Sequence, residues 1–300
     1  MQPPREEKFL DMLSPSCVRT PRMTVAAVTK CWIEACGIVV MFMAAAACWA
    51  QAPQAADPRV LINRLDPGYR QFNAVGVVYP IAQTDGIQVM SKYRGTGAMI
   101  SPCHVLTNYH VAFEASRKEV LFEVGQRPAT AAGFAYKAVG RIVDAGAFWA
   151  ERDTVDDWAL VKLIDPKTNR SNKLGEQVGY FDFVAAPPAA IVDKQLISAG
   201  YPGQSPDLMA HVGCRLARVD QDRRWRMACS MTEGQSGGPV TLQTSDRGDI
   251  LVAINSAKPE GRSGLVTADE IRLSNLNYAT PFSRAAETRI RRSMEANRCD

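Results

Sequence analysis

The chain has 300 residues, 46% of them hydrophobic and 22% charged, and a formal net charge of +4. These proportions belong to a globular protein with material for one large domain or two small ones, and they exclude a disordered polyelectrolyte. The small, dispersed positive charge, with no interleaving of aromatic and basic residues, gives no nucleic-acid surface.

In chain order, the first feature is a leader. Lys30 precedes the apolar run Gly37–Ala47, and small residues follow to Ala50-Gln51-Ala52. A charged, an apolar and a small-residue region in that order predict a secretory signal peptide over residues 1–50, its charged region extended. The run is shorter than the ~20 apolar residues of a transmembrane helix. An uncleaved membrane anchor is the alternative reading. Residues 51–68 are a mature lead rich in Pro and Ala. Short runs rich in Val, Ile and Tyr, separated by Gly, Pro, Asp and Asn, then predict strands. In the first half they are 73–79, 95–101, 104–108, 118–123, 137–144 and 158–163. In the second half they are 194–201, 211–219, 224–229, 238–243, 250–257 and 274–279. The expected fold is all-β, with two six-stranded antiparallel barrels at 69–165 and 194–280 and a linker over 166–193. Thr280-Pro281 has the chemistry of a helix start. Phe282, Ala286, Ile290 and Met294 then recur every four residues, predicting a helix over 281–300 that packs on the second barrel. Nothing beyond that helix leaves room for an appended PDZ domain.

The cysteines agree with export. Cys17, Cys31, Cys36 and Cys48 fall in the expected leader, leaving Cys103, Cys214, Cys229 and Cys299. Four cysteines in an exported chain allow three disulfide pairings. Cys214 and Cys229 lie on consecutive predicted strands, which favours that pair. Cys103 with Cys299 follows only by elimination, and reduced, buried thiols are the alternative.

The chemistry-bearing stretch is Gly234-Gln235-Ser236-Gly237-Gly238-Pro239. A serine hydroxyl needs a base beside it and a third group to orient that base. The chain has three histidines. His104 follows Pro102-Cys103 in a turn and is expected at the surface. His211 opens a strand. His110 ends the strand of Thr107-Asn108-Tyr109-His110, just after Gly95-Thr96-Gly97-Ala98-Met99-Ile100-Ser101. Between His110 and Ser236 lies Asp157-Trp158-Ala159-Leu160-Val161-Lys162-Leu163, with Asp153 and Asp156 as rival acids. The G-x-S-x-G pattern also fits an α/β-hydrolase elbow, but that fold needs a histidine after the serine and none follows. Cys103, His104 and His110 lack the spacing and partners of a metal site.

These three segments, in the order His, Asp, Ser, resemble the chymotrypsin-fold (trypsin-like) serine peptidases. The resemblance implies His110 as base, Asp157 as its orienter and Ser236 as nucleophile, with the N–H groups of Gly234 and Ser236 as oxyanion hole. It implies polypeptide substrates and no metal or other cofactor, and leaves the oligomeric state open. Ser230 and Met231, opposite Asn255 and Ser256, would line the specificity pocket. Ser230 stands where Arg- and Lys-cleaving relatives carry an aspartate, and Asn255 where Glu-specific relatives carry a histidine. In trypsin-like zymogens a freed N-terminal ammonium pairs with an aspartate before the nucleophile. Here that position is the neutral Gln235, so no such activation is expected, and the exact N-terminal residue should matter little. A non-enzymatic peptide-binding protein on the same fold, or an esterase using the same residues, are the alternatives.

Overall fold

A computed structural model describes residues 57–63, 66–84, 87–90, 93–112, 119–126, 133–146, 156–203, 205–244, 248–257 and 276–300. The expected leader, residues 1–50, lies outside them. Strand β1 (Val60–Leu61) is followed by a 3-10 turn over Pro67–Ala74, capped where the Asp66 side chain accepts from the Gly68 N–H. Then come β2 (Val75–Thr84), β3 (Ile87–Met90), β4 (Gly95–Met99) and β5 (His104–Thr107). A single helical turn, α1 (Tyr109–Ala112), leads to β6 (Glu119–Gln126), β7 (Phe134–Ala145) and β8 (Ala159–Ile164). The connection carries α2 (Gly175–Val178) and a 3-10 turn at Pro188–Ala190. The second half has β9 (Leu196–Gly200), β10 (Met209–Cys214), β11 (Leu216–Val219), β12 (Trp225–Met227), β13 (Pro239–Thr244), β14 (Gly248–Ala257) and β15 (Asn277–Pro281). The chain ends with α3 (Arg284–Ala296).

The first sheet runs β3-β2-β4-β5-β8-β7-β6, and β6 pairs back onto β2. Six strands thus close into a barrel, with β3 a hairpin arm outside the ring. Closure rests on β2, whose Val75–Val78 pair with β4 and whose Gly76–Pro80 pair with β6. Gly76 is required there: a Cβ would stand 2.5 Å from the Glu123 carbonyl and 2.6 Å from the Phe122 ring.

Among the described residues the second sheet has eight strands, in the order β1-β10-β9-β13-β14-β15-β12-β11, and no ladder joins its ends. The expected single strand 211–219 is two. A bulge at Val212/Cys214, beside Gly213 in the left-handed region (φ 78°), turns the chain. Its first part pairs β9 and its second part pairs β12. One residue, Arg215, separates β10 near one end of the sheet from β11 at the other. The chain itself therefore joins the ends, and the Cys214–Cys229 disulfide staples that corner.

Among the described residues, two large apolar clusters and the small pair Ala228–Leu276 fill the interior. The larger joins Phe72, Val77, Leu106, Phe122 and Leu160 of the first half to Tyr201, Leu251, Ile254 and Phe282 of the second. The smaller packs Trp225 with Leu216, Met227, Val240 and Val252. Each such side chain contributes about 1.5–3 kcal/mol when fully buried.

The helix departs from expectation at both levels. Thr280 and Pro281 belong to β15, paired with Ile254 and Ala253. The cap is Ser283, whose Oγ accepts from the Ala286 N–H at 3.0 Å. Phe282, Ala286 and Ile290 are buried as the periodicity predicts, but in the cluster that includes the first barrel. Arg289 reaches Asp144 of β7, and Cys299 is bonded to Cys103 in the β4–β5 turn. The helix thus straps back across the first barrel because its polar side finds charge partners there.

Candidate active site

β5 and β8 are neighbours, with Thr107 opposite Ala159. That register puts the residues just after β5 beside those just before β8. Asn108 Nδ2 donates to the Asp157 carbonyl at 2.8 Å, and the His110 N–H donates to Asp157 Oδ1 at 3.0 Å. The His110 Nδ1 lies 2.6 Å from Asp157 Oδ2. Asp157 is fully buried. A buried carboxylate needs donors for its oxygens, and Oδ2 receives one more from Ser256 Oγ at 3.1 Å. Asp156 is half-buried, and its backbone carbonyl accepts from the Trp158 N–H. Asp153 lies outside the described residues.

Ser236 comes from the loop between β12 and β13. Its Oγ donates to the Ser256 carbonyl at 2.8 Å, so Ser256 bridges Ser236 and Asp157. The loop is clipped to the first barrel. The Thr96 N–H donates to the Ser236 carbonyl at 2.7 Å, and Thr96 Oγ1 donates to the Gly234 carbonyl at 2.8 Å. Thr96 Oγ1 also accepts from the Tyr201 N–H at 3.0 Å. Gly237 has φ 83°, and a Cβ there would stand 2.2 Å from both Thr107 Oγ1 and the Thr96 carbonyl. Only glycine lets the two halves meet so closely. The N–H groups of Gly234 and Ser236 donate to no carbonyl among the described residues.

The expected specificity residues are all buried. The Ser230 N–H donates to the half-buried His211 at Nδ1, 2.8 Å away. Burial lowers the His211 pKa. Both ends of the Asn255 amide are occupied by β9, with Oδ1 accepting from Ser198 Oγ at 2.8 Å and Nδ2 donating to the Ala199 carbonyl at 3.1 Å. The Ser256 hydroxyl is turned to Asp157. The Asn255 and Ser256 side chains are thus held by β9 and by Asp157.

His104, expected at the surface, is 2% exposed in β5. Its Nδ1 sits 2.7 Å from Ser101 Oγ, and burial pushes its pKa down to about 4. Its ring lies near Cys103 and Cys299, but both sulfurs are spent in a disulfide and offer no thiolate to a metal. Sequence reasoning missed Thr96 as a clip, although it sits in the quoted Gly95-Thr96-Gly97. It also missed Arg59, whose guanidinium reaches the Gln235 amide at 2.6 Å.

A family profile for the trypsin-like peptidase domain matches residues 95–253, more than half of the chain. The fold is also that of a solved Glu endopeptidase in complex with MPD. It superposes with a TM-score of 0.53 at 16% identity, covering 81% of this chain and 98% of that one. A serine endoprotease from Yersinia pestis gives 0.48 at 17% identity, over 80% and 69%, too distant to carry an argument. No curated protein matches the sequence. The chain belongs to the trypsin-like peptidase domain family.

Proposed function

We propose that the protein is an exported serine endopeptidase acting through His110, Asp157 and Ser236. The observation that carries this reading is the hydrogen-bonded path Ser236–Ser256–Asp157–His110 at one junction of the two halves. In the reaction, the Ser236 hydroxyl leaves the Ser256 carbonyl and gives its proton to His110 Nε2 as Oγ attacks the scissile carbonyl. Asp157 holds the ring by Nδ1 and stabilises the imidazolium. The uncommitted N–H groups of Gly234 and Ser236 are suited to the developing oxyanion. His110 then protonates the leaving amine, and water repeats the sequence on the acyl-enzyme. With Ser230 and Asn255 both neutral, neither position supplies a countercharge for Arg or Lys, so a neutral side chain is the expected preference. The two disulfides suit an oxidising compartment, reached by way of the expected leader.

A fluorophosphonate probe tests the reading. It should label Ser236 in the unaltered protein and fail in Ser236→Ala and His110→Ala, while a peptide library is cleaved in step with labelling. Labelling without cleavage of any peptide would point to the esterase instead. No labelling would leave the peptide-binding alternative.

A further inference from the structure

The residue between the two expected oxyanion donors is Gln235, fully buried. Its Nε2 donates to the carbonyls of Gly200 at 3.3 Å and Met209 at 3.4 Å. Its Oε1 accepts from the Thr232 N–H at 2.8 Å, from the Thr232 hydroxyl at 3.4 Å, and from Arg59 at 2.6 Å. The same terminal nitrogen of Arg59 also donates to Thr232 Oγ1 at 2.8 Å. Arg59 comes from 176 residues away. Its side chain is only 8% exposed, although it is a cation. The opposite edge of its guanidinium holds the Asp57 carboxylate, with Nε at 2.9 Å and the second terminal nitrogen at 2.7 Å. That bond to Arg59 also holds the Asp57 pKa below its ordinary value.

The chemistry is self-consistent. Burying a guanidinium is costly unless its charge is met and its donors are filled. Asp57, two residues away, meets the charge, so residue 235 need supply only an acceptor, and a neutral amide suffices. The segment is itself anchored. Val60 and Leu61 pair with Ala210 and Met209, the Ile62 N–H donates to the Leu208 carbonyl at 2.9 Å, and Ile62 is buried. Arg59 is thus delivered to Gln235 by a strand added at the sheet edge.

We propose that Arg59 is a positioning residue for the oxyanion loop, an internal cation carried by the N-terminal segment that fixes Gln235 and so the flanking peptides of Gly234 and Ser236. This rests on the peptidase reading above. It also limits the expectation that the exact N-terminal residue matters little: segment 57–62 is part of the machinery. An oxyanion hole works only if its donors are fixed before charge develops.

The test uses the full chain with Arg59→Ala, Arg59→Lys, Gln235→Ala and the Arg59→Ala/Gln235→Ala double variant, by steady-state kinetics on a peptide amide and by hydrogen exchange. Losing one oxyanion donor outright costs about 10²–10³ in kcat. Losing its positioning should lower kcat about 10- to 100-fold with KM moved less than about 3-fold. Arg59→Lys, with charge but no fork, should fall between. The double variant should be no worse than the poorer single one, because both break one contact. Exchange should rise in 230–238 and stay unchanged in 119–126 and 134–145. Unchanged kcat and exchange, or single losses that multiply in the double variant, overturn the proposal. So does a rise in exchange over the whole chain, which would mean a purely structural role. If Arg59→Ala does not fold, the intermediate kcat of Arg59→Lys decides in its place. If the unaltered protein cleaves no peptide but the local exchange contrast persists, the peptidase reading falls and the positioning of the loop by Arg59 stands.

Discussion

The two halves of the molecule build their parts of the site in different ways. The first barrel is closed by hydrogen bonds all the way round, and the His110–Asp157 pair follows from the register of two adjacent strands in it. The second half is an open ladder whose ends are joined by the chain at Arg215 and by Cys214–Cys229. Its contribution, the Ser236 loop, is held by its own half and also from outside, by Thr96 of the first barrel and Arg59 of the N-terminal segment. The His110–Asp157 pair is thus set by the register of neighbouring strands, while Ser236 and its flanking peptides also depend on contacts with Thr96 and Arg59.

The sharpest way to break that comparison is to remove one member from each half. Ser236→Ala should lower turnover by several orders of magnitude with an unchanged melting temperature, because its hydroxyl fills no obligatory bond in the core. Asp157→Asn should cost about 10⁴ in kcat and also lower the melting temperature, because a buried acceptor facing the His110 N–H and Ser256 becomes partly a donor. Equal effects on stability would erase the distinction between the halves.

The disulfides sharpen it next. Chain-entropy reasoning gives about 3 kcal/mol for Cys214–Cys229, with a separation of 15, and about 5 kcal/mol for Cys103–Cys299, with a separation of 196. Replacing each pair by serine should reproduce that order in urea unfolding. Activity should follow the reverse order, since Cys229 directly precedes the pocket residues. Loss of activity in the long-range variant alone would contradict a locally stapled corner.

A third test isolates the first barrel. His104 has its pKa lowered from 6.5 to about 4 by burial, so between those values the unfolded chain binds more protons than the folded one. Stability from this group is therefore full above about pH 6.5 and lost as pH falls towards 4, at most about 3 kcal/mol. Urea unfolding across that window should flatten in His104→Leu relative to the unaltered protein. A parallel slope in both would show that another group controls it.

The smallest effect concerns the clip between halves. Thr96→Val keeps the shape but removes the hydroxyl bonds to Gly234 and Tyr201. About 2 kcal/mol of stability should go, with a fall in kcat and little change in KM. Calorimetry and kinetics on one preparation check both.

How far the sequence discloses this arrangement follows the same divide. Strands such as 95–99, 159–164 and 248–257 carry their own signal in apolar β-formers bounded by turn residues, and the His110, Asp157 and Ser236 segments are readable as motifs. The two-residue β1 has no periodicity to detect, so Arg59 looked like part of a loose lead. The split at Cys214–Leu216 depends on which partner each half finds, which no local pattern records. Thr280-Pro281 has helix-start chemistry, yet its place beside Ile254 and Ala253 overrides it. His104 was misplaced because a polar residue after a Pro-Cys turn resembles surface. Its burial comes from the C-terminal strap nearly two hundred residues later.

That strap has a consequence for the covalent topology. The Cys103–Cys299 bond turns the chain from 103 to 299 into a macrocycle, and His110, Asp157 and Ser236 all lie within its circumference. A single backbone cut anywhere inside opens the circle into a line but releases no fragment. A chain nicked once inside the circle would then keep His110, Asp157 and Ser236 on one connected molecule.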